Sequence, residues 1–272
     1  MSSPFLRNYT LLKIPIVLPD GQPAWPELFP ENEIERIREV VGHRHFSSQM
    51  MMEFVAPERA RLDPASLMEY ELEFDAPTAK LGTDIITTGY SAYWDPSSAR
   101  QSADGSVCAL VLFHAPTKRA FVHDILFLKV SDNDLHPMAT QAEMILDFMS
   151  RYRIRHLGIE TNGLGNALPE IMRGIAEKRK QPLTINRIVS REKKETRILN
   201  AIEPLLSTGR LFAHRRVLES ELSSELSDWT ASGANRDDGI DAVAGALLMQ
   251  PAATRTRAQI FSSHTANTNF NI

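Results

Sequence analysis

Cysteine is the scarcest resource of this sequence. Cys108 is the single thiol in 272 residues, which excludes an intrachain disulfide and any cysteine-built zinc site, and fits a reducing compartment. Basic excess is missing as well. The 30 Lys and Arg residues stand against 34 Asp and Glu, a formal net charge of −4, so only local patches can supply a nucleic-acid surface. No apolar run is long enough to cross a bilayer, and the first residues lack a signal-peptide pattern. A Walker-type phosphate loop is absent, which excludes ATP hydrolysis by that route. What remains, 43% hydrophobic and 24% charged residues, is an ordinary globular composition without an internal repeat.

The chain divides by texture. Residues 1–75 read as an N-terminal extension or linker: Leu11 to Leu18 as a short strand, a turn-rich stretch from Pro19 to Pro30, and a helix capped by Asn32 with Ile34, Ile37, Val40 and Val41 inward. Residues 76–250 read as an α/β domain, and 251–272 as a polar, disordered tail. Within the domain, Ile85 to Trp94, Val107 to His114 and Ala120 to Val130 have strand character, and their short connections make them antiparallel. A helix from Pro137 to Tyr152 leads to an apolar strand, Ile154 to Ile159. A helix ending near Lys180, a strand from Leu183 to Val189, and helices over 192–206 and 217–229 follow. The spacing of Val243, Ala244, Leu247 and Leu248 closes the domain with a buried, small-residue helix. The expected architecture is a mixed sheet, three antiparallel strands then parallel strands, flanked by helices.

Three acidic points stand where these elements begin or end. Asp95 closes the first strand of the domain, Glu160 closes the strand after the first helix, and Asp238 and Asp241 open the last helix. Sites in open sheets form at strand carboxyl ends, and in this order the first and fourth strands can be neighbours. Each acid alone reads as a turn or cap residue. Together they form a set of carboxylates that repel one another unless a cation lies between them, and hard oxygen ligands favour Mg²⁺ or Mn²⁺. Two such ions roughly 3.5–4 Å apart suit phosphodiester hydrolysis. Asp95 is the candidate bridging ligand.

The motif order resembles the ribonuclease H-like nucleases, and more narrowly the C-terminal nuclease domain of the large terminase subunit of tailed bacteriophages. The resemblance is carried by Tyr93-Trp94-Asp95-Pro96 with Asp104-Gly105-Ser106, by His156-Leu157-Gly158-Ile159-Glu160 running into Thr161-Asn162-Gly163-Leu164-Gly165, and by Lys194-Glu195-Thr196-Arg197-Ile198. Thr208-Gly209-Arg210-Leu211 and Asp237-Asp238-Gly239-Ile240-Asp241-Ala242 complete it. Trp25-Pro26-Glu27 and Phe46-Ser47-Ser48-Gln49 look like the chain leaving that family's ATPase region, and Arg236 stands where the family often has His. The resemblance implies a ribonuclease H-like fold and an endonuclease that cuts concatemeric double-stranded DNA during genome packaging. Asp95, Glu160 and Asp238 would be catalytic, and with Asp241 would hold two Mg²⁺ or Mn²⁺ ions. It implies an ATPase region, a small terminase subunit and a portal protein as partners, in the host cytoplasm. Asp104 would support a second metal or cap its loop.

Lys193, Lys194, Arg197, Arg210 and Arg236 are the candidate DNA contacts; a solvated helical face is the competing reading of such charge runs. A junction resolvase of the same fold and a non-catalytic docking module are the rival functions. His43 and His45 read as surface residues, His123 with Asp124 as structural, and Asp132-Asn133-Asp134 as a turn.

Overall fold

A computed structural model describes residues 12–52, 62–97, 105–162, 166–231 and 236–253. Asp104, the Gly163-Leu164-Gly165 turn, the tail beyond residue 253 and the side chains of His43 and His45 lie outside the described residues.

The first helix, α1 (Glu31–His45), begins one residue ahead of Asn32, which lies within it rather than capping it, and buries Ile34 with Ile16 and Phe46 in a small cluster. The strand expected over Leu11 to Leu18 is reduced, among the described residues, to one bridge between Val17 and Pro23. Short strands follow: β1 (Met68–Tyr70), β2 (Phe74–Asp75), β3 (Lys80–Leu81) and β4 (Ile85–Ile86). The last three make a small sheet of their own. Ile85 to Trp94 is therefore two strands rather than one. Thr87 turns away to bond Ala79 O through both its amide and its hydroxyl, and Thr88 N bonds Phe113 O.

The main sheet begins with β5 (Gly89–Asp95), β6 (Ser106–His114) and β7 (Arg119–Leu128), antiparallel as expected. Then come α2 (Pro137–Arg151), β8 (His156–Glu160), α3 (Leu168–Lys178), β9 (Thr184–Ile188), α4 (Lys194–Ser207) and β10 (Leu211–His214). The chain ends in α5 (Arg215–Leu218), α6 (Glu221–Asp228), α7 (Asp238–Leu248) and β11 (Ala252–Ala253). The helix expected over 217–229 is broken between α5 and α6, where the Ser220 hydroxyl caps α6 by accepting from Leu222 N.

Strand order is β1-β10-β7-β6-β5-β8-β9, with β11 beside the start of β5. Two relationships place the site. β5 and β8 are parallel neighbours, Tyr93 opposite Gly158 and Trp94 opposite Ile159, so Asp95 and Glu160 leave the sheet at the same end. β6 begins at that end too, Val107 opposite Asp95. Met68–Tyr70, from the stretch read as a linker, forms the outer strand beside β10.

Alternation across the pleat sorts the core into two layers. Tyr93, Val107, Ala109 and Val111 point to the side of α4 and α7, while Ala92, Trp94, Cys108 and Leu110 point to α2 and α3. β6 is buried on both faces over Ser106–Leu112, which is why it reads as an almost unbroken apolar run. The small residues of α7 let its backbone lie on the sheet: a Cβ on Gly245 would fall 2.3 Å from the Tyr93 ring.

Candidate active site

Each acid is held by the element that delivers it. Asp95 ends β5, half-buried. Glu160 ends β8, and three donors fix its carboxylate: the Tyr93 hydroxyl at 2.6 Å and Arg197 Nη1 at 3.1 Å on Oε2, and Asn162 Nδ2 at 2.9 Å on Oε1. Asp238 and Asp241 occupy the first turn of α7, where the helix dipole favours negative charge. Asp238 accepts the Gly105 amide at 2.8 Å, which ties the start of α7 to the start of β6; a Cβ on Gly105 would meet that same oxygen. Asp241 is 2% exposed, so its charge must be compensated inside the protein.

Two side chains of α4 compensate it. Arg197 grips Asp241 with two prongs, Nε to Oδ1 at 2.9 Å and Nη2 to Oδ2 at 2.6 Å, while its Nη1 reaches Glu160. Lys194 places its Nζ 2.7 Å from Asp237, 3.5 Å from Asp238 and 3.6 Å from Asp241. These shared cations bring Glu160, Asp238 and Asp241 into one pocket. Asp95 belongs to it electrostatically. Burial, then the negative charges of Glu160 and Asp241, push its carboxyl up to about 7, against the pull of Lys194 and Arg197. Burial also raises the Asp241 carboxyl, and Arg197 opposes that. For Lys194 burial acts to lower the ammonium, but the hydrogen bond to Asp237 and the charges of Asp241, Asp237 and Asp238 outweigh it and hold it above the usual lysine range. Arg197 follows the same balance, raised by Asp241 and Glu160.

The donor chemistry fits a hard divalent cation: Asp95, Glu160, Asp238 and Asp241 are all carboxylates, and burial with the charges of Glu160 and Asp241 already raises Asp95. The pocket is a salt-bridge network rather than a ready cage. Among the described residues no three His, Cys, Asp or Glu side chains stand in metal-binding geometry. A bound ion would take over countercharge now supplied by Lys194 and Arg197.

The remaining basic candidates scatter. Lys193 is exposed at the start of α4. Arg236 is exposed near the start of α7, 4.0 Å from Glu221. Arg210 is not brought to the acids: it precedes β10, whose Leu211 pairs with Ala120 at the opposite end of β7 from Leu128. His123 is fully buried and shares a hydrogen bond with the Tyr70 hydroxyl at 2.9 Å, in keeping with a structural role. Asp134 caps a turn, accepting His136 N at 2.8 Å.

Sequence reasoning missed two residues. Glu225 on α6 is 7% exposed and accepts the Ile240 amide at 3.1 Å, so it caps the helix that carries Asp238 and Asp241. Burial pushes its carboxyl up to about 7, the Ile240 amide opposing and Asp238 adding. Gly239 leaves room for it, since a Cβ there would lie 2.8 Å from Glu225 Oε2. The other is Tyr93, two residues before Asp95 in the same motif, whose hydroxyl holds Glu160. Neither stood out along the chain: Glu225 is one of three acids in α6, and Tyr93 lies opposite Gly158, two positions before Glu160.

This sheet order, with acids at the ends of the adjacent parallel strands β5 and β8 and on the closing helix, defines a ribonuclease H-like domain. Residues 113–211 match the family model described as the ribonuclease H-like domain of the bacteriophage T7 terminase, a span that includes Glu160, Lys194 and Arg197. The chain therefore has a ribonuclease H-like fold, and its stretch 113–211 is similar to the terminase domain so described. The P22 large terminase nuclease domain has the same fold, with a TM-score of 0.50 at 10% identity over 73% of this chain and 97% of that one. The human cytomegalovirus terminase nuclease domain gives 0.45 at 14% identity, over 64% and 88% of the two chains. The nuclease domain of the large terminase subunit of bacterial virus Sf6 gives 0.45 at 14%, over 66% and 95%. No curated protein matches the chain in sequence.

Proposed function

We propose that this domain is a metal-dependent endonuclease that cleaves concatemeric double-stranded DNA during phage genome packaging. The observation that carries this reading is the convergence of Glu160, Asp238 and Asp241 on the shared cations Arg197 and Lys194, with Asp95 at the end of the neighbouring strand. Asp95, Glu160, Asp238 and Asp241 would hold two Mg²⁺ or Mn²⁺ ions. Such ions, when bound, lower the pKa of a water nucleophile and offset charge on the departing oxygen.

The chain's own residues prepare that chemistry. Tyr93 and Asn162 fix both oxygens of Glu160. The Gly105 amide and Glu225 set the start of α7, and with it Asp238 and Asp241. Lys194 and Arg197 form ion pairs with Glu160, Asp237 and Asp241. Lys193 and Arg236, exposed near the acids' helices, would meet backbone phosphates without reading sequence. The similarity to terminase domains supports a wider setting in which an ATPase region, a small terminase subunit and a portal protein are partners, in the host cell cytoplasm during assembly. No helix among the described residues is long and apolar enough to cross a membrane.

A plasmid-nicking assay with Mn²⁺, run on the native chain and on Asp95→Ala, tests the proposal. The expected result is cleavage by the native chain and none by the variant, with DNA binding and fold intact. Unchanged cleavage by Asp95→Ala overturns the site. Preferential cutting of four-way junctions replaces the reading with a resolvase, and binding without cutting replaces it with a docking module.

A further inference from the structure

Beside the acids runs a cleft of about 420 Å³, between the segment after β9, the start of α4 and the end of α7. Its inner end is the active site itself. Tyr93 and Arg197 line the cleft, and the same two side chains hold Glu160 at 2.6 and 3.1 Å. Its walls differ in kind from the acidic pocket. Val189 and Leu248 are 61% and 53% exposed, and Met249, which lines the cleft with them, lies over β8, so close that a Cβ on Gly158 would clash with its sulfur. Arg191 stands exposed at the rim and has no ion pair among the described residues. Glu192, the one acid in the lining among the described residues, is engaged by Asn200 at 2.9 Å.

We propose that this cleft takes one unpaired nucleotide next to the scissile phosphate, its base against Val189, Leu248 and Met249 and its phosphate on Arg191. The inference rests on the nuclease reading above and refines the substrate. The occupant follows from the lining. Phosphates project from an intact duplex, and Val, Leu and Met side chains do not recognise phosphate; they recognise the face of a base or sugar. The volume falls in the range of small-ligand sites, about 300–1,000 Å³, which suits one nucleotide and not a duplex. Continuity with Glu160 through Tyr93 and Arg197 puts that nucleotide adjacent to the cut. A base must leave the stack to enter, and this costs least where the DNA is already unpaired. Locally opened DNA is therefore the better substrate.

The test compares a fully paired DNA duplex with the same duplex carrying a central mismatched bubble, on the full chain. Binding is read by fluorescence anisotropy in Ca²⁺ and cutting in Mn²⁺. The native chain should bind and cut the bubble roughly tenfold better than the duplex, one order of magnitude in the equilibrium constant. Arg191→Glu, Val189→Asp and Leu248→Asp, all at exposed positions outside the acidic pocket, should each reduce that preference while duplex binding and Mn²⁺ binding stay at the native level. Equal affinity of the native chain for both DNAs overturns the proposal, as does an undiminished preference in all three variants. If the native chain prefers the bubble through these residues but cuts neither DNA, the nuclease reading falls and the nucleotide cleft stands.

Discussion

Arg197 and Asp241 form a two-pronged ion pair buried between α4 and α7, at 2.9 and 2.6 Å, and the same guanidinium extends to Glu160. The pair explains how clustered acids coexist in the folded chain without an added ion. It also joins the closing helix to the segment that the family model covers, 44 residues apart along the chain. Opposite charges this deeply buried stabilise little in net terms, because desolvation offsets their attraction, but removing one partner strands the other.

Arg197→Met should accordingly destabilise the metal-free protein by about 3–5 kcal/mol, because it leaves Asp241 charged and buried. Adding Asp241→Asn removes the stranded charge and should recover part of that loss. Urea unfolding of the single and double variants measures both; equal stability of native and Arg197→Met would show that the pair does not hold the site.

Glu225→Ala should cost about 1–2 kcal/mol by leaving an α7 amide without its cap, and it should slow Mn²⁺-dependent cleavage by loosening Asp238 and Asp241. Glu225→Gln keeps an acceptor oxygen and should restore most of both. A Gln variant as impaired as the Ala variant would mean that the cap itself is not what matters.

Gly245→Ala should act through Tyr93. The added methyl carbon would lie 2.3 Å from a ring that is 1% exposed and cannot yield freely. Overpacking of this kind costs about 1–3 kcal/mol. Displacement of the Tyr93 hydroxyl should release Glu160, so cleavage should fall further than stability alone accounts for. Thermal melting and nicking rates on one preparation separate the two effects.

The pH dependence has a definite sign. Asp95 and Glu225, both pushed up to about 7, keep protons in the folded state that the unfolded chain releases near pH 4. Their contribution to stability is complete below about pH 4, declines as pH rises to about 7, and is flat above. Metal-free unfolding free energy measured from pH 5 to pH 8 should fall on their account, and the fall should be shallower in Asp95→Asn and Glu225→Gln. Mn²⁺ affinity should move the other way, rising up to about pH 7 as the proton leaves Asp95, which titration calorimetry at pH 6 and pH 8 measures.

How much was legible in the sequence can be judged element by element. The β5–β7 hairpins, α2, β8, α3, β9 and α4 all lie close to where periodicity and turn residues put them, because each buries a face with its own period. Errors fell where a single polar side chain decides the local path: Thr87 splitting one strand into two, and Ser220 dividing one helix. Met68–Tyr70 reads as linker because three residues carry no period; only pairing with β10 makes them a strand.

The sequence by itself determined the acids, their order, and their places at the ends of β5 and β8 and the start of α7, since strand tips and helix starts are set by local pattern. Only the tertiary structure decided which cations answer them. Lys194 and Arg197 read along the chain as candidate DNA contacts, yet the packing of α4 on α7 turns them inward onto Asp237, Asp238 and Asp241, while Arg210, equally basic in sequence, is left at the far end of the sheet. The reason is physical: a charge in a sequence carries no direction, and its partner is whichever opposite charge the burial of apolar surface brings within reach.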